Sequence, residues 1–417
     1  MISIFDIKWL FLFFVGAIYL SISLYEAVLV LIILIFLLRF STIPKHRFAG
    51  SLTIPVFLFF IGMILPTMLF ETHSKYAMQA VIRAVFALIY FPALLLDTAD
   101  EKLLKKYAFI ILTGGMLFSA AAYIKFFLLM PQHASGLWGS GFELGNLVSL
   151  SMCISLAFLF SIKKSTNKIL MFTAFAFMFG AIVLTFERTA WLDVFWGIAF
   201  FFFAVQHKIK VKPAVLITGI LSILLLFSIL LSVFAKHDPR FVILKKIIIN
   251  HNISLHEINI LSSDRLYKLK ASIAIIKHDI DMKHYAPLIL GHGFRAGSTL
   301  SQYYGSQPVK TSFESISFLG EYIDTGIIGI LYMLFIYGAF IKLIFRVRNL
   351  HPKSQESGFL LTGLTAGVGA YFFGSLFNMF ATSPFFYYLF LFGVIERSVR
   401  YFTPITNGNP RLDGKPL

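Results

Sequence analysis

The stretch MFTAFAFMFGAIVLTFERTAWLDVFWGIAFFFF, residues 171–203, decides the fold. Glu187 and Arg188 divide it into two apolar runs, which continue outward to about 169–186 and 189–206, and each run then has the length of a membrane-crossing helix, about 17–25 residues. The charged pair therefore marks a turn between two spans rather than an interruption of a soluble core. Runs of the same kind recur along nearly the whole chain. In 417 residues, 58% are hydrophobic and only 13% charged, and the mean hydropathy is +0.82. A soluble domain carries about 25% charged residues, so a soluble enzyme or binding module is excluded.

Working outward, the apolar runs predict helices at about 8–23, 25–40, 51–69, 79–96, 107–130, 142–161, 169–186, 189–206, 213–235, 317–345, 358–380 and 383–400. The expected fold class is all-α, a polytopic membrane protein of about twelve transmembrane helices. The first run, from Trp9 to about Leu24, has almost no basic flank and no small-residue cleavage site, and it reads as an anchor rather than a signal peptide. Basic clusters fill every second connection: Arg39-Lys45-Arg47, Lys102-Lys105-Lys106, Lys163-Lys164-Lys168, Lys208-Lys210-Lys212 and Arg346-Arg348-Lys353. By the positive-inside rule these connections are cytoplasmic, and so are both termini.

The expected organisation is nine spans in 1–235, an outward loop at 236–317, three spans in 318–400 and a cytoplasmic tail at 401–417. The net charge of +16 then reports topology rather than nucleic-acid binding, and no nucleic-acid partner is expected. The lone cysteine, Cys153, lies within an apolar run, so no intrachain disulfide staples the loop.

Within the loop, Ser262-Ser263-Asp264 has the composition of a helix N-cap, with Leu266, Leu269, Ile273 and Ile276 recurring behind it at helical spacing. That helix is expected to lie over the outer mouth of the bundle. Gly291-His292-Gly293-Phe294-Arg295-Ala296-Gly297 reads as a glycine-rich turn. His278, His284 and His292 are scattered through the loop and read as solvated.

Ionisable groups inside spans are costly and point to function. Arg83, Lys125, Glu143, Glu187 and Arg188 all fall toward the outer half of the membrane in this topology. Lys125 reads as snorkelling to the interface and Glu143 as a helix cap. Arg83 and Arg188 have two readings, an internal salt bridge with Glu143 or Glu187, or a ligand role. Arginine presents a fixed fork of donors that matches phosphate bidentately. Arg265, after the cap, and Arg295, after the glycine turn, extend the set, with a solvated loop charge as the alternative for Arg295. Several arginines at the outer rim would suit a lipid-linked phosphate or diphosphate. There is no Walker-type loop, no metal-ligand spacing and no GxSxG elbow, so no metal, nucleotide or other cofactor is expected.

These residues carry a resemblance. Leu184–Leu192, LTFERTAWL, is similar to the "LTxSRxAWL" span segment of the bacterial O-antigen ligase and polymerase superfamily. Asp264-Arg265-Leu266, then Pro287-Leu288 and Gly291-His292-Gly293, resembles that family's loop pattern of Arg…Pro-Leu-x-G-x-G. Phe318-Leu319 and Asp324–Ile330 resemble the segment that closes the loop, and Gly139–Asn146 an earlier Gly…Asn element. With the topology, the likeness covers about residues 80–395.

The resemblance implies a membrane glycosyltransferase in the bacterial inner membrane. Its donor would be an undecaprenyl-diphosphate-linked oligosaccharide, used at the periplasmic face. The acceptor would be a second lipid-linked glycan for a polymerase, or lipid A core for a ligase. Other partners would be membrane lipids and a chain-length regulator. Arg188 and Arg265, at the family's positions, would hold the diphosphate, with Arg83 and Arg295 as further candidates. Ligases carry a histidine eleven residues before the glycine matching Gly326, where this chain has Ser315 followed by Ile316. Glu314 and Glu321 are the carboxylates nearby that could serve as base. The missing histidine favours the polymerase. A lipid-linked glycan transporter is the alternative from another class, and it would be expected to show internal symmetry and helices broken near the midplane.

Overall fold

The computed structural model describes residues 7–70, 74–96, 101–129, 134–206, 243, 246, 254–262, 265–297, 299–300, 317–350, 354–377 and 382–403. Every longer element among them is a helix. In chain order these are α1 (Ile7–Leu20), α2 (Ile22–Arg39), α3 (Thr53–Phe70), α4 (Ser74–Phe86), α5 (Tyr90–Leu95), α6 (Glu101–Leu129), α7 (Gly141–Ser161), α8 (Ser165–Val183) and α9 (Arg188–Val205). They continue with α10 (Leu255–Leu261), α11 (Arg265–Asp281), α12 (Tyr285–Leu290), α13 (Ser317–Arg348), α14 (Gln355–Gly374) and α15 (Ser383–Phe402).

Nine helices among the described residues are long and apolar enough to cross a membrane, counting α4 and α5 with the 3-10 turn between them as one. The other three expected spans stand differently. α1 is shorter, at 14 residues. α15 carries Glu396, Arg397 and Arg400. The run at 213–235 lies outside the described residues.

The centre of the bundle is α14 and α15. Residues 357–372 of α14 and 384–396 of α15 are buried without interruption, as expected of helices that are apolar on every side. α7 and α9 pack on α14. Close approach there depends on small residues, because lipid supplies no hydrophobic drive between helices. A Cβ at Gly363 would stand 2.7 Å from the Cys153 carbonyl oxygen, and one at Gly367 would stand 2.9 Å from Leu150 Cα. The outer surface of the bundle is apolar, with Met68 and Leu128 about three-quarters exposed at 77% and 75%.

Two helix starts follow from their sequences. Ser140 and Glu143 form a reciprocal capping box on α7, the Glu143 carboxylate accepting from the Ser140 backbone N–H at 2.7 Å. Lys125 extends along α6 and donates to the carbonyls of Gly136 and Leu137. Glu143 thus takes the capping role its position suggests, while Lys125 is held by backbone carbonyls of the connection to α7.

The loop helix α11 does not bury the face its apolar spacing predicts. Lys268, Ala271, Ser272, Ile275 and Asp279 face the protein, while Leu269 and Ile273 are exposed. Ala271 and Ile275 pack on Ile323 of α13, so α11 does lie against the bundle. The cap residues Ser263 and Asp264 lie outside the described residues.

Candidate functional site

α13 is broken at Gly326, which has φ 63° and ψ −149° inside an otherwise helical run. A break of this kind frees carbonyls of the preceding turn, and those groups need donors when buried. The glycine-rich turn supplies them: His292 N–H donates to the Ile323 carbonyl at 2.7 Å and Gly293 N–H to the Asp324 carbonyl at 3.0 Å. The fit is backbone to backbone. A Cβ at Gly326 would stand 2.6 Å from Gly291 N, and one at Gly291, itself at φ 87°, would stand 2.5 Å from the Asp324 carbonyl carbon. Only glycine fits at either point.

This docking fixes the next two residues. Phe294 is buried, and its N–H donates to Thr67 Oγ1 on α3 at 3.2 Å. Arg295 takes a left-handed conformation, φ 62°, with its N–H held by Asp324 Oδ2 at 2.9 Å. Two guanidinium groups lie against the Phe294 ring: Arg83 of α4 at 4.6 Å from the centroid and Arg295 at 5.4 Å. Left-handed backbone at a non-glycine residue is strained and clusters at functional sites. Arg83 also lies within electrostatic reach of Glu26 and Tyr371.

On the other side of the turn, His292 Nε2 is 2.8 Å from Asp279 Oδ2. Asp279 is buried on α11, and His284 Nδ1 stands 3.9 Å from its other oxygen. The His278 and His284 rings are 6.1 Å apart. His292 and His284 therefore flank one buried carboxylate, with His278 beside His284; His292 departs from the expectation of a solvated side chain, while His284, 53% exposed, keeps to it. A histidine oriented by a buried aspartate is the arrangement used to hold an imidazole in one tautomer. Its other ring nitrogen, Nδ1, has no hydrogen-bond partner among the described residues.

The remaining expected site residues fall as follows. Arg188 is the exposed first residue of α9, directly after a tight turn in which buried Phe186 has φ 53°. That conformation is an outlier for a bulky residue. Arg265 is the half-buried first residue of α11. Glu321 is engaged by the buried Tyr332 hydroxyl. Glu314, with Ser315 and Ile316, lies outside the described residues. The contacts with Phe294 bring Arg83 and Arg295 to one ring, the pair that the family pattern does not supply.

One charged residue escaped the reading of the opening stretch. Asp193 stands on α9 inside the run after Arg188, fully buried. The signal was available, because an acidic residue within an apolar span is costly wherever it occurs.

No family model matches the chain. It is 27% identical over 382 residues to an uncharacterized protein of Aquifex aeolicus (strain VF5), an alignment that covers 91% of this chain and 93% of the other. The similarity runs nearly from end to end and brings no activity with it.

Proposed function

We propose that the protein is a metal-independent membrane glycosyltransferase of the bacterial inner membrane that uses undecaprenyl-diphosphate-linked glycan. In this reading twelve helices span the membrane, both termini are cytoplasmic and the 236–317 loop is periplasmic. The observation that carries the proposal is that both Arg83 and Arg295 pack on the Phe294 ring, two residues from His292 of the His292–Asp279 pair. A cation that can stabilise a diphosphate leaving group, Arg295, and an oriented base for an acceptor hydroxyl, His292, stand on one turn, and Arg83 reaches the same turn from α4.

The chemistry balances without a cofactor. His292 Nδ1 takes the proton of the acceptor hydroxyl, and the oxygen attacks the anomeric carbon. The bond from that carbon to the diphosphate oxygen breaks, and the electron pair leaves with undecaprenyl diphosphate. Arg83 and Arg295, with Arg188 and Arg265 from the family pattern, stabilise the charge that develops there. His292 takes the role of base in place of the missing histidine, since Glu321 is engaged by Tyr332. The polymerase is favoured over the ligase on the absence of that histidine.

A broken helix also belongs to transporters, where the break lies near the midplane. In α13 it lies toward one end. The portion from Ile327 to Arg348 is by itself about 33 Å long at 1.5 Å per residue, enough to cross the hydrocarbon unaided. The break therefore favours a rim site over a midplane one.

The test is glycan chain-length profiling of a deletion strain carrying wild-type or variant protein. For a polymerase, deletion leaves a single repeat on the core and removes long chains. Arg83→Ala, Arg188→Ala and Arg265→Ala are each expected to reproduce the deletion profile at normal membrane levels of protein. Core lacking every repeat, with polymer retained on the carrier lipid, would assign the ligase instead. Unchanged profiles in all strains would sink the glycosyltransferase reading.

A further inference from the structure

Away from the glycine turn, three polar side chains lie buried between α7 and α9 with unmet hydrogen-bonding capacity. Neither carboxylate oxygen of Asp193 has a hydrogen-bond partner among the described residues, nor does either amide atom of Asn146, nor the Thr189 hydroxyl. Asp193 and Asn146 are 0% exposed and Thr189 3%.

The helices place these groups near one another. Gly145 and Ala190 mark the point where α7 and α9 cross, and a Cβ at Gly145 would stand 2.7 Å from Ala190 Cα. Asn146 follows the one and Thr189 precedes the other. Thr189 and Asp193 are four apart and share a face of α9. Asp193 reaches the backbone of α14 at Gly374, whose Cβ position would overlap its carboxylate. Tyr388 of α15 donates to the Asn146 carbonyl at 2.7 Å and lies within electrostatic reach of Asp193. The Tyr388 ring stacks on Tyr371 of α14 at 4.2 Å and closes that side.

An ionised carboxylate in such a place is strongly disfavoured unless something neutralises it. A protonated one still leaves its own O–H donor, the Asn146 side-chain amide oxygen and the Thr189 hydroxyl to be satisfied. A single hard cation would meet all of these together, through a carboxylate oxygen, the amide oxygen and the hydroxyl. Its charge is set by the site. One carboxylate balances one positive charge, and no group of three or more His, Cys, Asp or Glu side chains suited to a metal occurs among the described residues.

We propose that Asp193, Asn146 and Thr189 form a binding site for a sodium-class monovalent cation at the interface of α7, α9 and α14. The site does not depend on the glycosyl-transfer reading, and its test does not use that activity.

The purified full-length protein in lipid nanodiscs is heated in sodium chloride or in N-methyl-D-glucamine chloride at equal ionic strength. Sodium is expected to raise the wild-type unfolding midpoint saturably, on the order of 5 °C at a hundredfold excess over Kd. Asp193→Asn, nearly isosteric, is expected to remove the sodium dependence. Asn146→Ala is expected to move its half-saturation to at least tenfold higher sodium, about the 1.4 kcal/mol of one lost oxygen ligand. Radioactive sodium should bind wild type at about one ion per chain. A wild-type midpoint indifferent to sodium, or an undiminished sodium response in Asp193→Asn, overturns the site. If Asp193→Asn does not fold, the Asn146→Ala shift decides in its place, and an unshifted half-saturation there overturns the site equally.

Discussion

Glu396→Ala is expected to cost about 3 kcal/mol of stability, the lower end of the range for breaking a buried ion pair. Glu396 is 1% exposed on α15, at the opposite end of the bundle from the glycine turn. Its carboxylate accepts from Ser51 N–H at 2.9 and 3.0 Å, from the Ser51 hydroxyl at 2.9 Å and from the Tyr90 hydroxyl at 2.6 Å. Arg400, one turn on, donates at 2.8 Å and also reaches the Ala49 carbonyl at 2.6 Å. Tyr90 in turn accepts from Leu52 N–H at 3.1 Å.

One carboxylate thus ties the chain entering α3 to α5 and to α15. Alanine would leave the Tyr90 hydroxyl and Ser51 N–H without their acceptor in a closely packed place. The estimate stays at the low end because the Arg400 side chain is 35% exposed and can turn to water. Glu396→Gln, which keeps an acceptor, should lose less. The measurement is the thermal unfolding midpoint in detergent micelles. A Glu396→Ala midpoint equal to wild type would show that the network contributes nothing.

The second large effect is on activity. His292→Ala is expected to slow glycan transfer by about 10²- to 10⁴-fold, the usual contribution of a positioned general base. Because the His292 backbone N–H, not its ring, caps the Ile323 carbonyl, alanine leaves the docking of the turn in place. Asp279→Asn should lose comparably, because the amide can donate to Nε2 and favour the tautomer that carries its proton on Nδ1. The loss should fall on kcat with little change in KM, since the ring acts on the acceptor proton rather than on the diphosphate. Purified protein with lipid-diphosphate-linked donor and acceptor would measure both. Full kcat in His292→Ala would leave the pair with a purely structural role.

Much of the fold is visible in the chain because lipid imposes a simple rule. Apolar runs long enough to span must be helices, so the expected 142–161 meets α7 at 141–161 and the expected 189–206 meets α9 at 188–205. Caps are equally local, as Ser140 and Glu143 illustrate.

What failed was non-local or depended on the surroundings. Apolar residues of a soluble helix turn to its core, but Leu269 and Ile273 of α11 turn outward, and the buried stripe is Lys268, Ala271, Ser272, Ile275 and Asp279. His292 reads as solvated in sequence because its partner Asp279 sits on a separate helix. The pairing exists only because the turn docks on the break in α13. The arginine pair on Phe294 joins α4 to a turn more than two hundred residues later, which no spacing rule reaches. Asp193 is legible by the cost of an acid in a span.

The meeting of Gly291 and Gly326 also bears on how this chain can vary. Each would drive a side chain into the other segment's backbone, and backbone cannot be trimmed by a second substitution. Neither position therefore has a compensating partner, and in a saturation library selected for folded protein both should return as glycine alone. Gly338, in the same helix, has no atom within 4 Å of where a Cβ would stand, and there alanine and other helix formers should survive freely. Within one helix, one glycine is locked by what crosses it and another is open to drift.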